Sequence, residues 1–514
     1  MSRRTRVGTA LGTTAAVLAG LTAYDLTQKK HSILRNFPII GHGRYAMELI
    51  RPMIQQYFVE PDTEGRPFDR VTRTAVYERA KNQSAIIGFG TERDVDAYGY
   101  ESLINSFTPL NAEDVVPHVK VGGPHCTKPY QMSIFNISAM SFGALSERAV
   151  LAMNKGAAMG GFAQNTGEGG LTPYHLEYGA DIIWELGTGY FGAQTEDGRL
   201  DREKFKKAAA LDEVKMIAIK ISQGAKPGTG GHLPKEKITP EIAKIRDVPR
   251  DKDCISPAAH PEFSTPRELI GFIKELRQLS DGKPIGIKFC VNDRVDVLAI
   301  CKAMLEEGDG PDFIDVDGSE GGTGAAPSDF ADFVGMPLTD GLMTVHNALV
   351  GCGLRDQVTI TAAGKITSAR DIIARMIQGA DVTMSARGMM MATGCIQTQR
   401  CHTDKCPVGV ATQDKRLQRA IDIDEKATRV YNYQRLTVDS VVKLMAAMGA
   451  RTPKELTPSM LHKRVNSTTN PSYAEIYGWL DNGALLSNRV PEKWNADWVV
   501  ASPDHFGRHA HTNA

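Results

Sequence analysis

The sequence lacks an excess of charge of either sign. Its 514 residues include 60 lysines and arginines and 60 aspartates and glutamates, so the formal net charge at pH 7 is +0. A protein that binds nucleic acid through the phosphate backbone carries a surplus of basic residues on the binding surface. The balance of charge therefore argues against nucleic acid as a partner.

Cysteine is scarce, and most of the cysteines are isolated. The chain has 8 cysteines, and those without a close neighbour of the same type are Cys126, Cys254, Cys290, Cys301 and Cys352. They lie in apolar or glycine-rich surroundings. This distribution indicates buried thiols in a reducing compartment and excludes a disulfide framework.

The remaining cysteines lie in one short segment. Cys395, Cys401 and Cys406 have the spacing C-x5-C-x4-C, and Pro407 follows the last of them. Three thiolates from one loop can hold three corners of an iron–sulfur cluster, whereas a zinc site usually takes two closely spaced ligand pairs. The alternative is three unconnected reduced thiols. Their density and the final Cys-Pro favour a cluster, and therefore an electron-transfer enzyme.

Strand and helix patterns alternate between residues 130 and 387. The clearest predicted strands are 133–139, 216–221, 284–289, 312–317, 358–362 and 381–384, and the predicted helices are 147–159, 266–279, 294–307, 341–350 and 368–378. Alternation over this length corresponds to about eight parallel βα units, and it predicts an α/β fold of the (β/α)8 TIM-barrel type. No Gly-x-Gly-x-x-Gly opens the first unit, which argues against an open doubly wound sheet.

The flanking segments complete the predicted organisation. We expect a membrane anchor or signal at 1–30, a helical lead-in at 31–129 with helices at 44–58 and 69–81, a (β/α)8 barrel at 130–450 with the cysteine loop 395–406, and a C-terminal tail at 451–514.

The run 7–24 carries no charge and lies between basic residues. As a helix it would reach about 27 Å, slightly less than the ~30 Å hydrocarbon core of a bilayer. A cleaved export signal and an amphipathic organelle-targeting sequence are the alternatives. We predict a single-pass N-terminal membrane anchor of unsettled orientation, with the catalytic domain in the cytoplasm.

Glycines and polar residues follow the predicted strands, where barrels collect their functional groups. The candidate cofactor contacts at the ends of the earlier strands are Ala139, Met140, Ser141, Asn165, Thr166, Gln223, Lys288 and Asp317. Ser141 and Gln223 are expected to form hydrogen bonds with the edge of a cofactor ring. His260 also lies near these strand ends, where a structural role is at least as plausible as a functional one.

The ends of the seventh and eighth predicted strands have the pattern of a phosphate site. Gly364 and Lys365 follow one strand, and Ala386, Arg387 and Gly388 follow the other. Barrels frequently bind phosphate there through backbone N–H groups, and the two cations add positive charge. The glycines alone could serve tight turns. Two such turns just before the cysteine loop favour a phosphorylated cofactor, and FMN fits because a flavin exchanges both single electrons and hydride.

Several long segments resemble the FMN-binding barrel of glutamate synthases, namely 138–143, 165–170, 223–233, 318–327 and 395–413. The resemblance implies that the three cysteines of the loop ligate a 3Fe–4S cluster beside FMN. It also implies that 2-oxoglutarate and ammonia give 2-iminoglutarate, which takes hydride from reduced FMN and becomes L-glutamate. The stand-alone, membrane-anchored type of this family is the most similar.

The resemblance also suggests roles for individual residues, namely Glu168, Gln223 and Lys288 in catalysis and Gly321, Gly322 and Thr323 in a flavin and substrate turn. Lys288 would pair with a substrate carboxylate or hold negative charge near the flavin, unless Asp315 or Asp317 simply neutralises it. Glu168 would orient the imine or amine, unless it only caps a helix.

The 514 residues contain no segment that resembles a glutaminase, and Lys365 stands where the family has a second glycine. We therefore expect nitrogen from free ammonia, an amine or a separate glutaminase subunit. Ferredoxin, an NAD(P)H-oxidising subunit or a membrane carrier would donate electrons. Two alternatives stay open: an N-methylglutamate-type synthase that uses an amine, and a membrane-anchored FMN and iron–sulfur electron-transfer subunit without this substrate.

Overall fold

Short segments rich in β-branched and small residues form parallel strands that close into a barrel. In the computed structural model, which describes residues 3–83, 86 and 88–509, these strands are β1 Phe135–Ile137, β2 Gln164–Asn165, β3 Ile182–Leu186, β4 Val214–Lys220, β5 Ile285–Phe289, β6 Phe313–Asp317, β7 Thr359–Ala363 and β8 Val382–Ser385. Strand β8 pairs with β1 in parallel register, Thr383 opposite Phe135. The predicted (β/α)8 barrel is confirmed.

Two details of the strand predictions differ from the structure. The predicted strand 133–139 is divided, because Tyr130–Ser133 pairs with His118–Val121 in an antiparallel hairpin and β1 begins only at Phe135. Strands β2 and β3 were not predicted with bounds. β2 has only two residues, too few for a recognisable pattern.

Helices follow the barrel strands, with bounds Glu147–Gly160, Pro173–Leu176, Arg202–Ala209, Pro266–Leu279, Arg294–Glu307, Leu338–Gly351, Ala369–Ile377 and Arg387–Thr393. Their ends carry local signals. The Thr265 hydroxyl accepts a hydrogen bond from the Glu268 N–H at 3.1 Å, and the Glu268 carboxylate accepts one from the Thr265 N–H at 3.2 Å. This capping box, with Pro266 in the first turn, starts the helix at that residue.

Other elements decorate the barrel. The helices are Pro240–Arg246, Ser328–Phe333, Lys415–Gln418, Ile423–Met448, Tyr473–Ile476 and Glu492–Val500, and the paired strands are Glu101–Leu103 with Leu461–Lys463 and His232–Leu233 with Cys254–Ile255. The long helix Ile423–Met448 packs along Glu147–Gly160. A Cβ atom on Gly156 would lie 2.9 Å from the Val430 side chain, so this glycine permits the close packing of the two helices.

The hairpin of His118–Val121 and Tyr130–Ser133 lies at the amino-terminal end of the strands, directly before β1. Its side chains Val121, Tyr130 and Met132 share one buried cluster with barrel residues that include Met216 and Val382. Apolar side chains therefore fill this end of the barrel, and the opposite, carboxyl end carries the polar groups.

Residues up to Arg73 form a separate compact unit. Its helices are Arg3–Thr27, Ser32–Asn36 and His42–Ile54, followed by the π-helical turn Gln55–Val59, and helix Arg70–Ala80 begins at its end. The predicted helices at 44–58 and 69–81 are therefore present. Within the unit, the buried Asp25 carboxylate accepts a hydrogen bond from the Ile39 N–H at 2.9 Å and contacts the His42 ring at 2.9 Å.

The predicted N-terminal membrane anchor is wrong. Helix Arg3–Thr27 has 25 residues, but in the described part of the chain no helix is both long and apolar enough to cross a membrane. Threonines and glycines in this helix, such as Thr13, Thr14, Gly12 and Gly20, lower its hydropathy. The predicted membrane localisation and the membrane-anchored type of the family lose their support with it.

Two glycines offer a matched test of packing in the barrel. Gly286 on β5 pairs with Phe313 on β6, and a Cβ atom on it would lie 2.5 Å from the buried Phe313 ring. Gly286→Ala should therefore lower the free energy of unfolding by about 1–3 kcal/mol through overpacking. Gly271, exposed within helix Pro266–Leu279, has open space around it, so Gly271→Ala should raise it by up to about 1 kcal/mol.

The midpoint of thermal unfolding, measured by scanning calorimetry on both variants and the parent protein, checks this expectation. A Gly286→Ala variant that melts at or above the temperature of Gly271→Ala would contradict it.

Candidate active site

Glycines let the loops at the carboxyl end of the barrel pack against one another. The Gly224 N–H donates a hydrogen bond to the Asp317 carboxylate at 2.9 Å, and a Cβ atom on Gly224 would lie only 1.8 Å from the Gly318 carbonyl oxygen. Gly167 has a φ of +64°, and a Cβ atom on it would likewise lie too close to the Ser141 backbone. The glycine-rich segments that follow the strands therefore allow the loops of the rim to pack closely, since no larger residue fits there.

Glu168 and Gln223 both contact the same lysine at this rim. The Lys220 ammonium, at the last position of β4, lies 2.8 Å from a Glu168 carboxylate oxygen and donates a hydrogen bond to the Gln223 amide oxygen at 2.5 Å. The Lys220 and Glu168 side chains are 8% and 17% exposed. Two of the predicted catalytic residues therefore form one hydrogen-bonded group, and Glu168 does not cap a helix.

Positive charge surrounds Glu168. Burial by itself would raise its pKa, but the charges of Lys220, Lys226 and Arg246 outweigh burial and lower the pKa to about 2. The side chain is therefore an ionised carboxylate near neutral pH. Lys226 is buried, and burial lowers the pKa of its ammonium to about 8. Three cations and one carboxylate leave this group with a surplus of two positive charges.

Arg246 reaches the rim from the last residue of helix Pro240–Arg246. Its guanidinium donates hydrogen bonds to the Phe142 carbonyl at 3.0 Å and to the Ser141 hydroxyl at 3.4 Å. It also lies over the Phe191 ring, 5.2 Å from the centroid. These contacts hold a cation beside the predicted flavin contact Ser141.

Lys288 belongs to a second charged group, inside the barrel. Its ammonium lies 3.0 Å from a Glu185 carboxylate oxygen on β3. Burial would lower the pKa of Lys288, but Glu185, Asp317 and Asp315 outweigh it and raise the pKa. Burial also raises the pKa of Asp315, to about 7. Lys288 therefore already has a carboxylate partner, and that partner is Glu185 rather than Asp315 or Asp317.

His260 has a structural position beneath the first group. Its ring contacts the Lys220 carbonyl through Nε2 at 2.8 Å and the Tyr190 hydroxyl through Nδ1 at 2.7 Å. Burial lowers the pKa of the imidazole to about 4, so the ring is neutral. The carbonyl can only accept, so Nε2 carries the hydrogen and Tyr190 donates to Nδ1. His260 thus holds the end of β4 in place.

The predicted phosphate turns lie side by side at the ends of β7 and β8. Gly364 has a φ of +146° and Lys365 a φ of +50°, so the chain turns sharply there. The Arg387 guanidinium donates a hydrogen bond to the Glu320 carbonyl at 2.6 Å and so links this turn to the loop after β6. A Cβ atom on Gly388 would lie 2.6 Å from the Tyr433 hydroxyl, so packing against a helix explains that glycine without a ligand.

The other predicted cofactor contacts also lie at this end of the barrel, after or within the strands as the sequence indicated: Ala139, Met140, Ser141, Asn165, Thr166, Gln223, Lys288, Asp317, Gly321, Gly322 and Thr323. Asn165 is the informative one. Its amide oxygen accepts a hydrogen bond from the Gly167 N–H at 2.9 Å, but its buried Nδ2 has no partner in the described part of the chain. An orphaned buried donor at the rim suits a ligand with a carbonyl acceptor, as a flavin ring has.

The cysteine loop follows helix Arg387–Thr393. Burial raises the pKa of the Cys395 thiol, and the charges of Cys401 and Cys406 add to this effect. Over residues 3–83, 86 and 88–509, no three His, Cys, Asp or Glu side chains converge closely enough to hold a single metal ion. A cluster holds its thiolates further apart, because each bonds a different iron atom. The donor set fits such a cluster, and Cys395, Cys401 and Cys406 remain its predicted ligands.

The sequence did not indicate Glu185, Lys226 or Arg246 as members of these groups. Glu185 lies on β3, and the apolar run Ile182–Leu186 followed by glycines at 187 and 189 is a signal that could have located that strand. Arg246 lies in a long insertion after β4, and no local pattern distinguishes it from other surface arginines.

The sequence is similar to those of known proteins. Residues 106–451 match the family model described as the conserved region in glutamate synthase. The glutamate synthase large subunit-like protein YerD of Bacillus subtilis is 38% identical over 470 residues, which are 84% of this chain and 89% of that protein. The archaeal glutamate synthase (NADPH) of Methanocaldococcus jannaschii is 34% identical over 321 residues, 62% of this chain and 60% of that protein.

Among solved structures, a flavocytochrome b2 variant with bound sulfite aligns with a TM-score of 0.43 and 13% identity, over 86% of this chain and 90% of that one. The match to the family model, in contrast, is a match of sequence that covers more than half of the chain and includes the loops at the barrel rim. With that match and a 38% identical relative that it spans almost completely, the chain belongs to the glutamate synthase family of oxidoreductase enzymes.

Proposed function

We propose that the chain reduces 2-iminoglutarate, formed from 2-oxoglutarate and ammonia, to L-glutamate. FMN is the proposed cofactor, and electrons enter through an iron–sulfur cluster at the cysteine loop. The observation that carries the proposal is the surplus of two positive charges where Lys220, Lys226 and Arg246 surround Glu168. Buried charges require partners, and 2-oxoglutarate is a dianion that balances this surplus.

The residues of the group have distinct tasks in this proposal. Arg246 would bind a substrate carboxylate through its buried Nε, which has no hydrogen-bond partner in the described part of the chain. Lys226 supplies a second, compact cation. The ionised Glu168 accepts hydrogen bonds from the nitrogen of the amine or iminium and stabilises its positive charge. Lys220 holds Glu168 and Gln223 in one orientation through its contacts at 2.8 Å and 2.5 Å.

The residues that would hold FMN lie beside this group. Gly364, Lys365 and Arg387 would bind the phosphate, and the unpartnered Asn165 Nδ2 would donate to the ring. When bound, reduced FMN supplies the hydride. The cysteine segment also contacts the loop after β1, because the Gln413 side-chain amide donates a hydrogen bond to the Gly143 carbonyl at 3.1 Å. This contact supports electron entry from the cysteine loop to the cofactor site.

A half-reaction tests the function. Purified protein that contains flavin and iron is reduced anaerobically and mixed with 2-oxoglutarate and ammonium, or with 2-oxoglutarate and methylamine. We expect reoxidation of the flavin, followed by its absorbance, and L-glutamate with ammonium as the amine. N-methylglutamate formed only with methylamine would favour the amine-using alternative, and no reoxidation with either pair would refute the proposal.

Glu168→Gln should lower kcat about 10²-fold or more, because the neutral amide cannot stabilise the positive charge on nitrogen. Removal of a negative charge from a site that binds a dianion should leave the KM for 2-oxoglutarate unchanged or lower. Steady-state kinetics with both substrates varied measures the two effects. Glu177→Gln, at an exposed position, is the control, and a raised KM with unchanged kcat in Glu168→Gln would contradict the assigned role.

The affinity for 2-oxoglutarate should depend on pH through Lys226. Its pKa of about 8 means that the ammonium is charged below this pH and neutral above it. The Kd, measured by titration of the oxidised protein at several pH values, should therefore rise about tenfold per pH unit above pH 8. Lys226→Arg stays charged and should remove this rise, whereas the same rise in the variant would show that another group titrates.

A further inference from the structure

One buried lysine lies outside the two charged groups already described. Lys237 ends the short 3₁₀ segment Lys235–Lys237 in the insertion after β4, and it is 1% exposed. Its ammonium donates hydrogen bonds to three backbone carbonyls, those of Ala144 at 2.6 Å, Cys401 at 3.1 Å and Ala411 at 3.3 Å. A lysine ammonium has three N–H donors, so each one is used.

These carbonyls belong to two functional loops. Ala144 lies in the loop after β1, three residues beyond Ser141, and Cys401 and Ala411 lie in the cysteine loop and its continuation. Gln413 reinforces the junction, because its side-chain amide donates to the Gly143 carbonyl at 3.1 Å and the Leu145 carbonyl at 2.8 Å. Lys237 and Gln413 therefore bind three successive carbonyls of the flavin-side loop to the cysteine segment.

The positive charge of Lys237 would normally be paired with a negatively charged group. No carboxylate in the described ranges lies within 4.0 Å of its nitrogen as an ion-pair partner. The nearby Asp404 directs its Oδ1 to the Gln413 N–H at 2.6 Å. A buried cation that contacts no anion directly is costly, and a neutral donor could make hydrogen bonds to carbonyls without that cost. The thiols of Cys401 and Cys406, which can become negatively charged, also lie near the Lys237 ammonium.

We propose that Lys237 is a positioning residue that fixes the cysteine loop against the loop after β1 and places a buried ammonium group beside the cluster proposed there. The inference rests on the proposed function, because it requires a cluster at the cysteine loop. A fixed cation stabilises the form of the cluster that carries one more electron. Lys237 thereby raises the reduction potential of the cluster and keeps the cluster at a constant position relative to the flavin side of the rim.

The test uses the full chain with its cofactors and three variants. Lys237→Gln removes the charge but keeps a hydrogen-bond donor, Lys237→Arg keeps the charge, and Lys235→Gln neutralises an exposed lysine of the same 3₁₀ segment. Iron and flavin contents are measured first. Redox titrations then follow the cluster by EPR and the flavin by visible absorbance in the same sample.

We expect Lys237→Gln to shift the cluster midpoint potential to a more negative value, to move the flavin potential less, and to lower the iron content per flavin. Lys237→Arg should stay closer to the parent protein, and Lys235→Gln should not differ from it. If Lys237→Gln does not fold, Lys237→Met, which keeps the aliphatic stem, gives the same comparison.

An unchanged cluster potential and iron content in the neutral variant would overturn the role of Lys237, as would an equal shift in Lys235→Gln. A parent protein without iron or a cluster EPR signal would instead refute the proposed function itself. The two failures are therefore distinguishable.

Discussion

Closure of eight parallel strands into one ring requires every strand to end at the same rim. The pairing of β8 with β1 completes the ring, and the hairpin of His118–Val121 and Tyr130–Ser133 fills its amino-terminal end with apolar side chains. The functional groups must therefore gather at the carboxyl end. The register then decides which residues are neighbours, and it sets Lys288 opposite Lys220 on one side and Asp315 on the other.

The two charged groups at this end differ in their internal balance. Lys288 has Glu185 as a partner at 3.0 Å, with two further carboxylates close by whose pKa values burial raises. That group has one cation and three carboxylates, so it offers no positive charge to an anion. Glu168 has more cations around it than it can neutralise. The two groups therefore differ in the sign of their charge, and only the group around Glu168 offers positive charge to the anionic substrate of the proposed function.

Much of the fold was accessible from the sequence, because it depends on local patterns. Capping residues such as Thr265 and Glu268 start helices at predictable positions, and the later strands are long enough to have a recognisable apolar run. The predicted membrane anchor is wrong because helix Arg3–Thr27, although 25 residues long, contains threonines and glycines that make it too polar to cross a membrane. Strand β3, which carries Glu185, has no predicted bounds. The sequence therefore offers Lys288 a substrate carboxylate or the flavin as its partner, with Asp315 or Asp317 as the alternative, and it does not indicate Glu185.

By itself, the sequence determined the barrel, the order of its strands, the cysteine spacing and the glycine-rich strand exits, since each of these is a pattern of neighbouring residues. Only the tertiary structure decided which distant side chains meet. Arg246 comes from an insertion after β4, and Lys237 joins carbonyls more than 90 and 160 residues away in sequence. Such contacts follow from how the loops pack against one another at the carboxyl end of the barrel, and no local sequence pattern encodes that packing.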